Sequence, residues 1–222
     1  MFEAIIFDMD GVIVDTEMVH FKRLKQFLKE EQVEKEEIEL MQVLGSSAQR
    51  FYGLVASFLG ADVSLEEAQR RLNAFNQRVP HKMNYPAIFR QEIQHIFDYA
   101  QEHQLKIGLA SSSQMATIQA VLEACQIAPY FDQVVSGERF KESKPNPEIY
   151  FYIAEKLAVA PEKCLVIEDS FYGIKAAKSA GMTVIAYQED RLIVDQSLAD
   201  YRGQGMLVIK ELIEQIQEQT GK

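Results

Sequence analysis

The sequence predicts an α/β fold in which a doubly wound, mainly parallel sheet carries an inserted all-helical domain. Four short runs are continuously apolar, as is typical of strands that are buried on both faces of a sheet. These runs are residues 4–7, 106–110, 164–167 and 182–186. Helical patterns lie between them, and alternating strands and helices in the C-terminal two thirds of the chain indicate a parallel sheet covered by helices.

The segment after the first run, from residue 16 to about residue 80, has helical spacing throughout and no convincing strand. Within it, Ser64-Leu65-Glu66-Glu67 is a capping-box signature that predicts a helix to about Val79, with Pro80 as its stop. We therefore expect residues 16–82 to form a helical cap. Residues 1–15 and 83–222 are then expected to form the α/β core.

Composition excludes several classes of function. The chain has 222 residues, 47% of them hydrophobic, and its 23 Lys and Arg against 33 Asp and Glu give a net charge of −10. That charge argues against binding to nucleic acid or to an anionic membrane surface. The two cysteines, Cys125 and Cys164, have no metal-ligand spacing, and no apolar stretch approaches the roughly 20 residues of a membrane span. We expect a cytoplasmic enzyme, and a monomer is the expected state.

Two acidic pairs follow predicted strands. Asp8-Met9-Asp10-Gly11-Val12 comes directly after the first run, and Glu168-Asp169 comes directly after the third. A plain turn is the alternative for the first motif, since Asp and Gly are common turn residues. If the two strands are parallel neighbours, however, four carboxylates meet at one sheet edge and repel one another unless cations or protons compensate them. Oxygen ligands without nearby His or Cys favour Mg²⁺, which commonly shares its coordination sphere with phosphate.

Two further features suit a phosphate group. Ser111-Ser112-Ser113 follows the second run and precedes a helical pattern, where hydroxyls and free N–H groups can bind anionic oxygens. A routine helix cap is the alternative for these serines. Lys144 lies in a loop whose backbone is restricted by Pro145 and Pro147, so that its ammonium can be held toward the acidic residues. The alternative for Lys144 is a solvated loop lysine.

In this order the motifs resemble those of the haloacid dehalogenase superfamily, specifically the branch with a helical cap that contains β-phosphoglucomutases and sugar-phosphate phosphatases. The resemblance covers nearly the whole chain and implies a Rossmann-like sheet core. The motifs that carry it are Asp8-x-Asp10-Gly11-Val12, Ser111, Lys144-Pro145 and Glu168-Asp169-Ser170. The set is specific for the superfamily and much less specific for the substrate.

The resemblance also implies roles for the motif residues. Asp8 would be the nucleophile that forms an aspartyl-phosphate, and Asp10 would be the general acid and base. The presence of Asp10 favours phosphoryl transfer over dehalogenation, since dehalogenating relatives lack an acid there. The residues that would bind the phosphoryl oxygens are Ser111, Ser112 and Lys144. The implied Mg²⁺ ligands are Asp8, the backbone carbonyl of Asp10, Glu168 and Asp169.

The cap decides between hydrolysis and mutase chemistry. His20 matches a histidine that β-phosphoglucomutases place near the acid/base residue, although a helix-surface histidine is the alternative reading. Mutases follow Gly-Val-Ser with Arg, whereas here Gly45-Ser46-Ser47 is followed by Ala48, and Arg50 comes two positions late. Ser47 and Arg50, with His20, remain candidate substrate contacts.

A second mutase cation is also absent from its expected place, where Leu72 stands next to Arg71. The leading expectation is therefore Mg²⁺-dependent hydrolysis of a small sugar phosphate or related phosphomonoester. The alternative is a β-phosphoglucomutase in which Arg50, Arg70 or Arg71 substitutes for the cap cations. A remote alternative is a non-catalytic ligand-binding module, which would be expected to lack a nucleophile or a metal ligand.

Overall fold

The computed structural model describes residues 1–43, 48–79, 82–189, 191 and 194–220. The chain divides into two compact units. The first contains Met1–Asp15, Tyr85–Asp190 and Val194–Lys222, and the second contains Thr16–Asn84 and Arg191–Ile193. The long segment of the second unit ends at Asn84, whereas the sequence predicts a boundary at residue 82.

The first unit contains one sheet, to which the described residues contribute six strands. In chain order these are β1 Ala4–Phe7, β2 Lys106–Ser111, β3 Gln133–Ser136, β4 Cys164–Glu168, β5 Thr183–Tyr187 and β6 Tyr201–Gly203. Their order in the sheet is β3-β2-β1-β4-β5-β6, and every neighbouring pair is parallel. This is the doubly wound arrangement, which confirms the predicted fold class.

In the part of the second unit that the structure describes, every regular element is helical. The α-helices are α1 Glu17–Glu30, α2 Glu37–Leu40, α3 Ala48–Leu59 and α4 Leu65–Arg78. Phe21, Phe27 and Phe75 belong to the buried core of this unit, which α1, α3 and α4 share. The Ser64 hydroxyl accepts a hydrogen bond from the Glu67 backbone N–H over 3.2 Å, so the predicted start of α4 is confirmed.

Helices cover both faces of the sheet. They are α5 Tyr85–Ile88, α6 Gln94–Glu102, α7 Met115–Ala124, α8 Glu148–Leu157, α9 Phe171–Ser179 and α10 Met206–Thr220. Ile5 and Phe7 of β1 pack in a cluster with α6, α7 and α10, whereas Ala4 and Ile6 pack in a cluster with α8 and α9. Because both faces are buried, the strand reads as a continuous apolar run. No helix in the described ranges is long and apolar enough to cross a membrane.

Candidate active site

The sequence motifs lie at the carboxyl ends of three adjacent strands. β1 lies between β2 and β4, with Phe7 paired to Leu109 on one side and to Ile167 on the other. Asp8 continues β1, and its backbone N–H donates to the Ile167 carbonyl over 3.0 Å. Parallel strands in register therefore bring Asp8 beside Glu168, the last residue of β4. Ligands of open α/β sheets bind at this edge.

Lys144 lies between two of these carboxylates. Its Nζ donates to Asp8 Oδ1 over 2.6 Å, to Glu168 Oε1 over 2.9 Å and to the Ala110 carbonyl over 3.1 Å. The side chains of Lys144, Asp8 and Glu168 are only 6%, 10% and 1% exposed. The loop lysine is therefore not solvated, and its ammonium compensates two buried negative charges.

Both carboxylate oxygens of Glu168 are engaged. Oε1 accepts from Lys144 and, over 3.5 Å, from the hydroxyl of the fully buried Tyr150. Oε2 accepts from the backbone N–H and the hydroxyl of Ser170, over 2.8 and 3.0 Å. A Cβ at Gly173 would lie 1.5 Å from Glu168 Oε1, so the glycine in α9 leaves the space that this side chain fills. The sequence patterns predict neither the contact of Tyr150 with Glu168 nor the close approach of Gly173 to that side chain.

The second aspartate of the first motif is held by a hydroxyl. Ser113 Oγ donates to Asp10 Oδ2 over 2.8 Å. Next to it, Gly11 has φ +84°, and a Cβ there would lie 2.0 Å from Asp169 Oδ2. A glycine is thus required both for the backbone conformation and for the approach of the Asp169 carboxylate. The serine run was noticed in the sequence, but its contact with Asp10 was not.

The other two serines differ in exposure. Ser111 is buried, and its hydroxyl oxygen accepts from the Ser113 backbone N–H over 3.0 Å. Ser112 is exposed. A Cβ at Gly137, directly after β3, would lie 3.0 Å from the Ser112 Cα. The backbone at Ser112 therefore packs closely against the end of β3.

Arg90, a residue that the sequence patterns did not single out, ties the first motif to the end of β5. Its Nε donates to the Gly11 carbonyl over 3.2 Å, and its Nη2 donates to Glu189 Oε2 over 3.2 Å. The guanidinium also lies 4.2 Å from the ring centroid of Tyr187. No local sequence pattern predicts these hydrogen bonds, because Gly11 and Glu189 are 79 and 99 residues away from Arg90 in sequence.

The electrostatics of the site follow from burial and crowding of charge. Burial raises the pKa of Asp8 to about 7; Glu168 and Asp10 also raise it, against the lowering effect of the Lys144 ammonium. For Lys144, burial alone would lower the pKa. Its two carboxylate partners outweigh that effect and hold the pKa well above the ordinary value, so the lysine stays charged.

Among the residues that the structure describes, no three His, Cys, Asp or Glu side chains form a group ready to hold a metal ion. The positive charge that lies between Asp8 and Glu168 is the Lys144 ammonium. The chemistry of the remaining donors still suits a metal ion. The carboxylates of Asp8 and Asp169 and the backbone carbonyl of Asp10 follow adjacent strands, and these are hard oxygen ligands of the kind that Mg²⁺ prefers.

The candidate cap residues lie in the second unit. His20 is exposed on α1, and Arg50 is exposed on α3. Ser47 lies outside the described residues.

The two arginines considered as substitute cations form ion pairs within that unit. Arg70 Nε donates to Glu67 Oε2 over 2.8 Å, and Arg71 Nε donates to Glu67 Oε1 over 2.7 Å. Arg71 Nη1 also donates to Glu31 Oε2 over 3.2 Å. Both guanidinium groups therefore already have carboxylate partners.

Comparisons with known proteins agree on one family. The family described as haloacid dehalogenase-like hydrolase matches residues 5–187. A phosphorylated carbohydrates phosphatase of Thermotoga maritima is 31% identical over 182 residues, which cover 81% of this chain and 82% of the relative. A β-phosphoglucomutase of Bacillus subtilis is 31% identical over 188 residues, 82% of each chain.

Among solved structures, β-phosphoglucomutase from Clostridium difficile superposes with a TM-score of 0.68 and 24% identity over the full length of both chains. At that identity the likeness establishes the fold. The family match covers most of the sheet and every motif at its carboxyl edge, and two relatives exceed 30% identity over four fifths of the chain. This protein therefore belongs to the haloacid dehalogenase-like hydrolase family.

Proposed function

We propose that this protein is a Mg²⁺-dependent phosphatase that hydrolyses a small sugar phosphate or related phosphomonoester through an aspartyl-phosphate on Asp8. The observation that carries the proposal is the buried Lys144 ammonium, which contacts Asp8 beside a second aspartate, Asp10, held by a hydroxyl. A nucleophile, a cation and an acid/base group thus meet at one sheet edge. The similarity to a phosphorylated carbohydrates phosphatase supports the substrate class.

In the first step an oxygen of Asp8 attacks phosphorus, and the bond from phosphorus to the sugar oxygen breaks. Asp10, protonated at that stage, gives its proton to the leaving oxygen. In the second step Asp10, now a carboxylate, takes a proton from water as the water oxygen attacks phosphorus and the bond from phosphorus to the Asp8 oxygen breaks. Inorganic phosphate leaves, and both aspartates return to their starting states.

The phosphoryl oxygens need positive charge and hydrogen-bond donors. Lys144 supplies the charge at Asp8, and the Ser111 hydroxyl proton remains available because that hydroxyl accepts from Ser113 in the structure. Ser112 is the exposed member of the same loop and offers a further hydroxyl.

Mg²⁺ is the expected cofactor, and it would reduce the negative charge on the phosphoryl oxygens during transfer. Asp8, Asp169 and the backbone carbonyl of Asp10 are the proposed ligands. Glu168 is proposed beside them, although its oxygens contact Lys144 and Ser170 in the structure. The pKa of Asp8, raised to about 7 by burial, gives a further reason for a cation, since a neighbouring positive charge favours the ionised nucleophile.

A β-phosphoglucomutase is the second candidate, and the relative from Bacillus subtilis favours it. A mutase must hold a second phosphate group, which requires cations in the cap. Arg70 and Arg71, two of the three arginines considered as substitutes, form ion pairs with Glu67. We therefore place hydrolysis first.

The test is a comparison of product formation. The protein is incubated with Mg²⁺ and each of a panel of phosphomonoesters, and phosphate release is measured. In a separate assay it is incubated with β-glucose 1-phosphate and catalytic β-glucose 1,6-bisphosphate, and glucose 6-phosphate formation is measured. We expect phosphate release to exceed glucose 6-phosphate formation, and the reverse would replace hydrolysis by the mutase. Asp8→Asn should abolish both products. Asp98→Asn, an exposed aspartate on α6, is the matched control and should retain activity.

A further inference from the structure

Ser113 makes a contact that its position in the chain does not explain. It precedes α7, where a serine hydroxyl ordinarily caps the helix by accepting from backbone N–H groups. The N-cap residue of α7 is instead Gln114, whose side chain makes no capping hydrogen bond. The Ser113 hydroxyl donates to Asp10 Oδ2 over 2.8 Å, across 103 residues of sequence.

The backbone of Ser113 is fixed on both sides. Its N–H donates to Ser111 Oγ over 3.0 Å, and its carbonyl accepts from Ser136 Oγ over 2.7 Å. Ser136 is the last residue of β3 and is fully buried. Two hydroxyls from the ends of β2 and β3 thus hold the serine whose own hydroxyl contacts Asp10.

We propose that Ser113 is a positioning residue that orients the carboxyl group of Asp10 for proton transfer to the leaving oxygen. The inference rests on the proposed function, in which Asp10 is the acid and base.

A hydroxyl suits this task because it serves both states of Asp10. It donates to the carboxylate, as in the structure, and by rotating it can accept if the proton resides on Oδ2. A methyl group can do neither. Ser113→Ala should therefore keep the Asp10 carboxyl group but remove the hydrogen bond that orients it. Ser113→Thr keeps a hydroxyl that can make this hydrogen bond.

The proposed role has a kinetic signature that a purely structural role lacks. An alkyl phosphate has a poor leaving group that needs a proton, whereas 4-nitrophenyl phosphate leaves as a stable anion without one. Loss of acid positioning should therefore lower kcat/KM for the alkyl phosphate selectively. Loss of loop structure should lower kcat/KM for both substrates alike.

The experiment measures kcat/KM on 4-nitrophenyl phosphate and on the alkyl phosphate that the panel shows to be turned over fastest. We expect Ser113→Ala to lower the alkyl value by about 10- to 100-fold and the nitrophenyl value by less than about 3-fold. Ser113→Thr should stay within about 3-fold of the parent on both. Ser57→Ala, which removes an exposed hydroxyl bonded to the Leu54 carbonyl, is the matched control.

A double-variant cycle tests whether the effect passes through Asp10. Ser113→Ala should change nothing further when Asp10 is already Asn. An equal fall on both substrates, or an additional fall in the Asp10→Asn background, would overturn the inference. If Ser113→Ala does not fold, Ser136→Ala removes the anchor of the same loop and should give the same selectivity with a smaller effect.

The outcomes also separate this inference from the proposed function. If Asp10→Asn keeps the parent's activity on the alkyl phosphate, the acid role itself fails. If Asp10→Asn loses that activity while Ser113→Ala lowers both substrates equally, the positioning role alone fails.

Discussion

Lys144 is the residue whose replacement should cost the most stability at the site. Lys144→Met keeps the length of the side chain and removes the ammonium that contacts Asp8 Oδ1 at 2.6 Å and Glu168 Oε1 at 2.9 Å. Both carboxylates are nine tenths or more buried, so little water can replace the lost charge. Removing one partner of a buried ion pair typically costs about 3–5 kcal/mol.

That loss converts into a measurable thermal shift. In a chain of this size, 1 kcal/mol moves the unfolding midpoint by about 2–4 °C, so Lys144→Met should unfold about 6–20 °C lower than the parent. The pKa of Asp8, already raised to about 7, should rise further once the ammonium is gone. A carboxyl whose folded pKa is raised destabilises the fold when it is ionised, so the difference from the parent should grow as pH rises through 7 and beyond.

The assay is thermal unfolding of metal-free protein across a pH series, with kcat/KM measured on the same preparations. We expect kcat/KM to fall at least about 100-fold, as for the loss of one preorganised electrostatic group. Lys141→Met is the matched control, because that lysine is exposed three positions earlier in the same loop and should tolerate the change. A midpoint for Lys144→Met within about 2 °C of the parent at alkaline pH would refute the reasoning.

Three further predictions concern other parts of the chain. Gly173→Ala should displace the Glu168 side chain, since the new Cβ would lie 1.5 Å from Oε1, and activity assays should show a loss that exceeds the change in unfolding midpoint. Phe75→Ala should lower the free energy of unfolding of the second unit by about 3–5 kcal/mol, because Phe75 is 1% exposed in the core of that unit, and denaturant unfolding would measure the change. Hydrogen bonding from Arg70 lowers the pKa of Glu67 to about 2, so its stabilising contribution is present above about pH 4.5 and lost toward pH 2. Glu67→Gln should therefore lower the unfolding midpoint slightly at neutral pH and not at the acid end, and added salt should shrink the difference.

Four of the six described strands were predictable because both of their faces are buried. β1 and β4 are completely buried and therefore read as unbroken apolar runs. β3 and β6 were missed because each is only partly buried and neither Gln133–Ser136 nor Tyr201–Gly203 contains a continuous apolar run. These two strands form by pairing with β2 and β5, and the local sequence does not predict that pairing.

The site shows the same division. Asp8, Lys144 and Glu168 could be singled out because each motif follows a strand or precedes a helix in a recognisable way. Tyr150 and Arg90 could not be, because their contacts join elements that only the folded sheet brings together. A tyrosine in an amphipathic helix reads as a core residue, and here it is one, although its hydroxyl also reaches the Glu168 carboxylate.

The structure also changes the argument about charge at the sheet edge. From the sequence, four carboxylates at one edge are expected to need compensation by cations or protons, and a bound Mg²⁺ is the favoured solution. In the structure the chain supplies part of the compensation itself, since Lys144 contacts Asp8 and Glu168, and Ser113 contacts Asp10. One ammonium against four carboxylates still leaves an excess of negative charge, and Glu168 and Asp10 add to the larger effect of burial in raising the pKa of Asp8. These partners give the carboxylates different surroundings, because both oxygens of Glu168 accept hydrogen bonds from Lys144 or Ser170, whereas Lys144 contacts Oδ1 of Asp8, the residue that we propose as nucleophile.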